Sequence, residues 1–122
     1  MRRMNPIRDL RSSAAVCLAF TMFILTSAGQ TATIDADRPT VLITGSNRGI
    51  GFAFAKHYAA EGWNVLATVR SPDRARELQA LADTNEHIII EQLDVTDYER
   101  IEELAEAYGD TLVDLLINNA GI

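Results

Sequence analysis

A chain of 122 residues has room for one domain at most, and 17 acidic against 11 basic side chains exclude a broad nucleic-acid surface. A single cysteine, Cys17, excludes an internal disulfide framework or a cysteine zinc site. Neither His57 nor His87 stands at ligand spacing, so both are read as structural and no metal site is expected.

The charge divides the chain. Residues 1–28 carry +3, from Arg2, Arg3, Arg8 and Arg11 against Asp9, and the remainder carries −9. Residues 14–28, AAVCLAFTMFILTSA, hold no charge, and Thr26 and Ala28 lie at the −3 and −1 positions of a cut after Ala28. This is the plan of a secretory signal peptide, and the run is shorter than the roughly 18 residues of a membrane span. An uncleaved anchor is the alternative, because the uncharged stretch extends from Ser12 to Ile34; an organelle transit peptide or a misassigned start also remains. The expectation is an exported, periplasmic or membrane-anchored protein, with membrane contact through residues 14–28; a cytoplasmic location is the alternative. Residues 29–38 are polar and read as a linker, and residues 39–122 as the domain.

From Pro39 onward strand and helix patterns alternate. TVLITG is a short apolar run ended by glycine, hence a buried strand. GIGFAFAKHYAAEG has Ile50, Phe54, His57/Tyr58 and Glu61 at helical spacing, with Gly62 as its stop. WNVLATVR is a second strand. SPDRARELQALAD starts a second helix, with Ser71 as N-cap, Pro72 at the first helical position and an apolar face of Ala75, Leu78, Leu81 and Ala82. HIIIEQLDV is a third strand. TDYERIEELAEAYG opens with a capping box, Thr96 and Glu99, and its apolar face is Tyr98, Ile101, Leu104/Ala105 and Tyr108. TLVDLLINNAGI is a fourth strand. The pattern βαβαβαβ predicts an α/β fold with a mostly parallel, doubly wound sheet in the order 3-2-1-4. Strand four is then an edge, and such a part-sheet is expected to be marginal alone.

The turn TGSNRGIG joins the first strand to the first helix, at the carboxyl end of a parallel sheet, where ligands bind. Gly45 can adopt a backbone conformation closed to other residues, Gly49 admits a close ligand, and Gly51 lets the helix approach the strand. The helix N-terminus adds free N–H groups and partial positive charge, which suits a pyrophosphate. No Lys-Ser/Thr pair follows the last glycine, so this is not a P-loop.

The spacing G-x-x-x-G-x-G also departs from G-x-G-x-x-G, and T-G-x-x-x-G-x-G resembles the nucleotide turn of the short-chain dehydrogenase/reductase family. NNAG at residues 118–121 and LDV at 93–95 are further family motifs in family order, and the resemblance covers residues 39–122. It looks closest to the carbonyl-reductase and C-factor-like branch. The resemblance implies an N-terminal Rossmann portion in which Gly45, Gly49 and Gly51 frame a pyrophosphate with Ile50 supplying a backbone contact, and Ser46, Asn47 and Arg48 of the same turn also bind the cofactor. Asp94 would hydrogen-bond the adenine amino group with Val95 beside it, and Asn118, Ala120 and Gly121 would line the adenine-ribose side.

An NAD site places an acid about 20 residues beyond the glycine turn. Here no Asp or Glu lies between Gly62 and Pro72; Arg70 ends the second strand and Arg48 sits in the turn. Two guanidinium groups suit a 2′-phosphate, so NADP is expected over NAD. The resemblance implies hydride transfer between NADPH and a carbonyl or alcohol, with further copies of the full-length protein as partners. The family's Ser, Tyr and Lys catalytic set has no counterpart here: no tyrosine is followed by lysine at the fourth position, and Lys56 is the only lysine. No catalytic residue is assigned, and the chain is expected to be inactive alone. A non-catalytic dinucleotide sensor and a non-functional fragment are the alternatives.

Overall fold

Near-continuous apolar runs bounded by turn residues fold as strands buried on both faces. In the computed structural model, which describes residues 32–121, these are β1 (Thr40–Thr44), β2 (Asn64–Val69), β3 (Ile88–Gln92) and β4 (Leu115–Ile117). All pairs are parallel and the order is β3-β2-β1-β4, the order that the alternation of elements predicts. Val41 stands between Val65 and Leu115, and Val65 between Val41 and Ile88. The central strand β2 is buried throughout, whereas β4 pairs only with β1 among the described residues and leaves Leu116 half exposed. The signal-or-anchor reading of residues 1–28 lies outside the described residues. No helix among those described is long and apolar enough to cross a membrane.

The two faces of the sheet differ. One is covered by α1 (Gly49–Ala60) and α2 (Arg76–Ala82), and encloses a core of Val41, Ile43, Ala55, Val65, Ala67, Val69, Ala75, Leu78 and Ile88. The other meets only α3 (Tyr98–Ala107), none of whose residues is buried. Between α3 and Leu42, Leu66 and Leu116 an apolar cavity of about 450 Å³ remains. Polar bonds to β3 hold the helix instead. Glu91 accepts from the Tyr108 hydroxyl at 2.6 Å and from Arg100 at 3.0 Å, and Arg100 also donates to the Gln92 carbonyl at 2.9 Å. Burial first, and then the Glu91 carboxylate, push the Tyr108 hydroxyl well above its ordinary pKa of 10.0, which keeps it a donor.

Four expectations shift. The inward face of α1 centres on buried Gly51 and Ala55, with Phe54 and Tyr58 of the expected face packed against the core, while Ile50 is 69% exposed and His57 and Glu61 face solvent. Small residues win because they let the helix lie close against the sheet. The second helix does not begin at Pro72: Pro72–Arg74 is a 3-10 turn, closed by Ala75 N–H donating to the Pro72 carbonyl, and α2 starts at Arg76. Asp97, not Thr96, caps α3, accepting from the Arg100 amide at 3.1 Å, and Tyr98 of its expected apolar face is 78% exposed. Residues 33–38, within the expected linker, are docked on the domain. Fully buried Asn64 accepts from the Asp35 amide and donates to the Asp35 and Arg38 carbonyls and to the Thr40 hydroxyl. Arg38 adds bonds to the Asp35 carboxylate and the Gly62 carbonyl, both at 3.0 Å.

An amide with this many protein partners leaves them unsatisfied when it is removed, at about 1–3 kcal/mol. Asn64→Ala is therefore expected to lower unfolding free energy by about 1–3 kcal/mol in urea titration, and to make the 33–38 segment more sensitive to limited proteolysis.

Candidate functional site

The turn after β1 is shaped by backbone conformation before any side chain acts. Gly45 and Gly49 take φ of 69° and 57°, the left-handed region that disfavours every residue with a Cβ. At Gly51 a Cβ would run into the Gly45 carbonyl and the Asn119 side-chain amide, so the first turn of α1 can close under the loop only with glycine there. Arg48 is the N-cap residue and gives no side-chain cap, and the first turn holds no acid. The amides of Gly49, Ile50 and Gly51 consequently find no acceptor among the described residues, and the helix opens with free donors.

Ser46 turns away from this opening. It is fully buried, its amide donates to the Thr68 carbonyl at 3.0 Å and its hydroxyl to the Ile43 carbonyl at 2.9 Å. It fixes the turn rather than lining it, which corrects its expected place in the ligand seat. The end of β4 is tied to the same turn. The Thr44 hydroxyl accepts from the amides of Asn119 at 3.0 Å and Ala120 at 3.1 Å and donates to the Ile117 carbonyl at 3.4 Å, while Asn119 Nδ2 donates to the Gly45 carbonyl at 3.0 Å.

Around this frame lies a polar cavity of about 670 Å³ along the carboxyl ends of all four strands. Gly45, Asn47 and Arg48 line it from the turn, Arg70, Ser71 and Arg74 from beyond β2, residues 93–96 from beyond β3, and residues 119–121 from beyond β4. Asp94 is its only acid. One carboxylate oxygen accepts from the Thr96 hydroxyl at 2.7 Å and the Thr96 amide at 2.9 Å. Those two bonds, and more weakly the positive Arg70, hold the Asp94 carboxyl below its ordinary pKa of 3.8. Its other oxygen has no partner among the described residues. No group of three or more metal-ligating side chains occurs among them either.

Of the residues the sequence singles out, Gly45, Asn47, Arg48, Arg70, Asp94, Val95, Ala120 and Gly121 line this one cavity. Gly49 and Gly51 stand beside it in the first turn of α1, and Ile50 is exposed without lining it. Asn118 does not reach it. Strand alternation sends Asn118 to the α3 face, where it lines the apolar cavity, and gives the site to Asn119. Sequence reasoning missed Thr44, Ser71, Arg74, Thr96 and Asn119. The second Asn of NNAG was the available signal for Asn119, whereas Arg74 is hidden inside an expected helix.

The family model described as short chain dehydrogenase matches residues 39–122. The chain belongs to the short-chain dehydrogenase family. It is 38% identical over 92 residues to the 3beta-hydroxysteroid dehydrogenase 1 of Eggerthella lenta, covering 72% of this chain and 35% of that protein. It is 41% identical over 88 residues to an uncharacterized oxidoreductase of Schizosaccharomyces pombe, covering 67% of this chain and 27% of that one. A carbonyl reductase from Pseudomonas aeruginosa PAO1, solved in complex with NADP, superposes with a TM-score of 0.65 at 36% identity, over 69% of this chain and 39% of that one. This short-chain dehydrogenase chain thus spans about a third of the length of the curated relatives it matches.

Two outcomes test the geometry. Thr44→Val removes one hydroxyl and strands two amides, and is expected to cost about 1–3 kcal/mol in thermal or urea unfolding. Asp94 has a lowered folded pKa, so its stabilisation is present above 3.8 and is lost as pH falls through the folded value below that. Asp94→Asn should therefore melt below the wild-type chain at pH 7, with the gap closing as pH drops under 3.8.

Proposed function

We propose that this chain is the cofactor-binding part of an NADP-dependent short-chain oxidoreductase that transfers hydride between NADPH and a carbonyl or alcohol substrate. The observation that carries the reading is the cavity's charge: Arg48, Arg70 and Arg74 line it, and Asp94, beyond β3, is the one carboxylate among its lining residues. The residues present fit a dinucleotide phosphate. Left-handed Gly45 and Gly49 and the open amides of α1 would receive the pyrophosphate. The free oxygen of Asp94 would accept from the adenine amino group, and Ala120 and Gly121 would border the ribose. Arg48 and Arg70 would hold a 2′-phosphate, each through charge-assisted hydrogen bonds. The NADP complex of the Pseudomonas relative supports the same cofactor.

Bound NADPH supplies the hydride. The residues of this chain bind and orient it, and none of them is assigned an acid, base or nucleophile, so the chain alone is expected to be catalytically silent. The export or anchoring role of residues 1–28 belongs to the same proposal and rests on sequence. Self-association of the full-length protein is a further part of it.

The test is calorimetric titration of the chain with NADPH and, separately, NADH. Tighter NADPH binding is expected, and Arg70→Ala should weaken it by roughly tenfold to a hundredfold, the value of about 1.5–3 kcal/mol for a hydrogen bond to a charged group, while sparing NADH. Equal affinity for the two cofactors would sink the NADP preference, and no binding of either would sink the cofactor reading.

A further inference from the structure

We propose that the apolar cavity beneath α3 is a second ligand site, which takes an uncharged aliphatic molecule carrying one hydroxyl or carbonyl group. The inference stands apart from the cofactor reading above and needs no dinucleotide.

The sheet walls this cavity through Leu42, Leu66 and Leu116, and α3 walls it through Ile101 and Leu104. Its volume of about 450 Å³ falls within the range of small-molecule sites, which join a mostly apolar lining to a few placed polar groups. It is separate from the polar cavity, since only Leu93 and Val95 border both.

The polar groups of the lining decide the chemistry of the ligand. The Thr44 hydroxyl is filled by Ile117, Asn119 and Ala120. Glu91 spends one carboxylate oxygen on the Tyr108 hydroxyl and the other on Arg100. Asn118 is exposed, so water serves it. Thr68 differs. It is 2% exposed, and its hydroxyl has no hydrogen-bond partner among the described residues. Strand alternation puts Thr68 with Leu66 on the α3 face, while Val65, Ala67 and Val69 belong to the opposite core. A buried polar group normally has a partner, and one left unpaired is costly. Rotation about the Cα–Cβ bond of Thr68 turns the hydroxyl toward the cavity that the residue borders. One hydrogen-bonding group on a ligand then satisfies it.

Charge and length narrow the class further. An anion would meet the Glu91 carboxylate, and a cation would find both oxygens of that carboxylate already bonded. Either would lose its hydration against leucines. Thr68 lies on β2 and Leu116 on β4, two strands apart across β1, which is about 10 Å. An extended aliphatic chain such as that of 1-octanol spans this distance. A looped or extended polypeptide fits less well, because it would bring a series of backbone N–H and C=O groups to a lining with one unpaired hydroxyl.

The experiment is titration of the full chain with 1-octanol and, separately, octanoate, followed by calorimetry and by amide NMR. 1-Octanol should saturate and move the amides of Leu66, Thr68, Leu104 and Leu116, and octanoate should not. Thr68→Val keeps the side-chain shape and removes the hydroxyl. It should weaken 1-octanol by roughly twofold to tenfold, the worth of a neutral hydrogen bond, and raise the melting temperature of the ligand-free chain. Thr68→Ser, which keeps the hydroxyl, should bind more tightly than Thr68→Val. The site is overturned if 1-octanol shows no saturable binding, if its shifts are confined to residues 1–31, or if octanoate binds as tightly. It is overturned too if a folded Thr68→Val binds 1-octanol as the wild-type chain does. Movement of the same amides when the chain is concentrated without 1-octanol would make this face an interface between copies and would also overturn it. Should Thr68→Val fail to fold, the amide map of the wild-type chain decides alone.

Discussion

One hydroxyl joins the two halves of the cofactor end of this domain. Thr44 uses its proton on Ile117 and its lone pairs on the amides of Asn119 and Ala120, so its hydrogen-bonding capacity is filled. Those bonds run between the end of β1 and the end of β4, two segments more than 70 residues apart in sequence. Asn119 completes the link by donating to the Gly45 carbonyl, the same carbonyl that leaves no room for a Cβ at Gly51. The glycine turn, the start of α1 and the NNAG segment are consequently one hydrogen-bonded body. The short β4 ladder alone, three residues long, is a weak tie by comparison.

The rigidity of that body is borrowed from one face of the sheet. α1 and α2 press on β1, β2 and β3 through a continuous core, and the small residues Gly51 and Ala55 set how closely α1 approaches. The opposite face is held differently. α3 contributes no buried side chain, leaves a cavity over Leu42, Leu66 and Leu116, and is fastened by the Glu91, Arg100 and Tyr108 bonds. The residues lining the polar cavity come from β1, β2, β3 and β4 ends and from the anchored 3-10 turn. α3 itself lends none, although its leading segment carries Asp94 and Thr96. Loose packing of α3 therefore need not loosen the site.

The strand order, the parallel pairing and the glycine turn were legible because each rests on local, near-compulsory chemistry: apolar β-branched runs, and glycines where a left-handed φ or a close approach is required. What could not be read was set by tertiary competition. Thr96 and Asp97 are both good caps, but the helix begins at Tyr98, which makes Asp97 its N-cap, and the Thr96 hydroxyl turns back to donate to Asp94. α1 is apolar on most of its circumference, so spacing could not fix which side faces the sheet, and Ile50 ended outside. Pro72 can open an α-helix or a 3-10 turn equally well. The core demand for Ala75 and the Gln79 bond to Pro72 selected the turn.

The same limit explains the exchange of Asn118 for Asn119. Two identical neighbours on a strand point to opposite faces, and sequence alone does not number the pleat. The pleat is fixed by Leu116 and Asn118 lining the α3-side cavity, with Ile117 packed against the core on the other face. Once the apolar residues of β4 choose their faces, Asn118 follows Leu116 away from the α1 and α2 core. Beyond the strand end the chain is free of that alternation, and Asn119 reaches the Gly45 carbonyl while Ala120 and Gly121 border the cavity. The polar end of the strand is thereby divided between two jobs, one residue at the apolar cavity and the next as the bolt of the nucleotide turn.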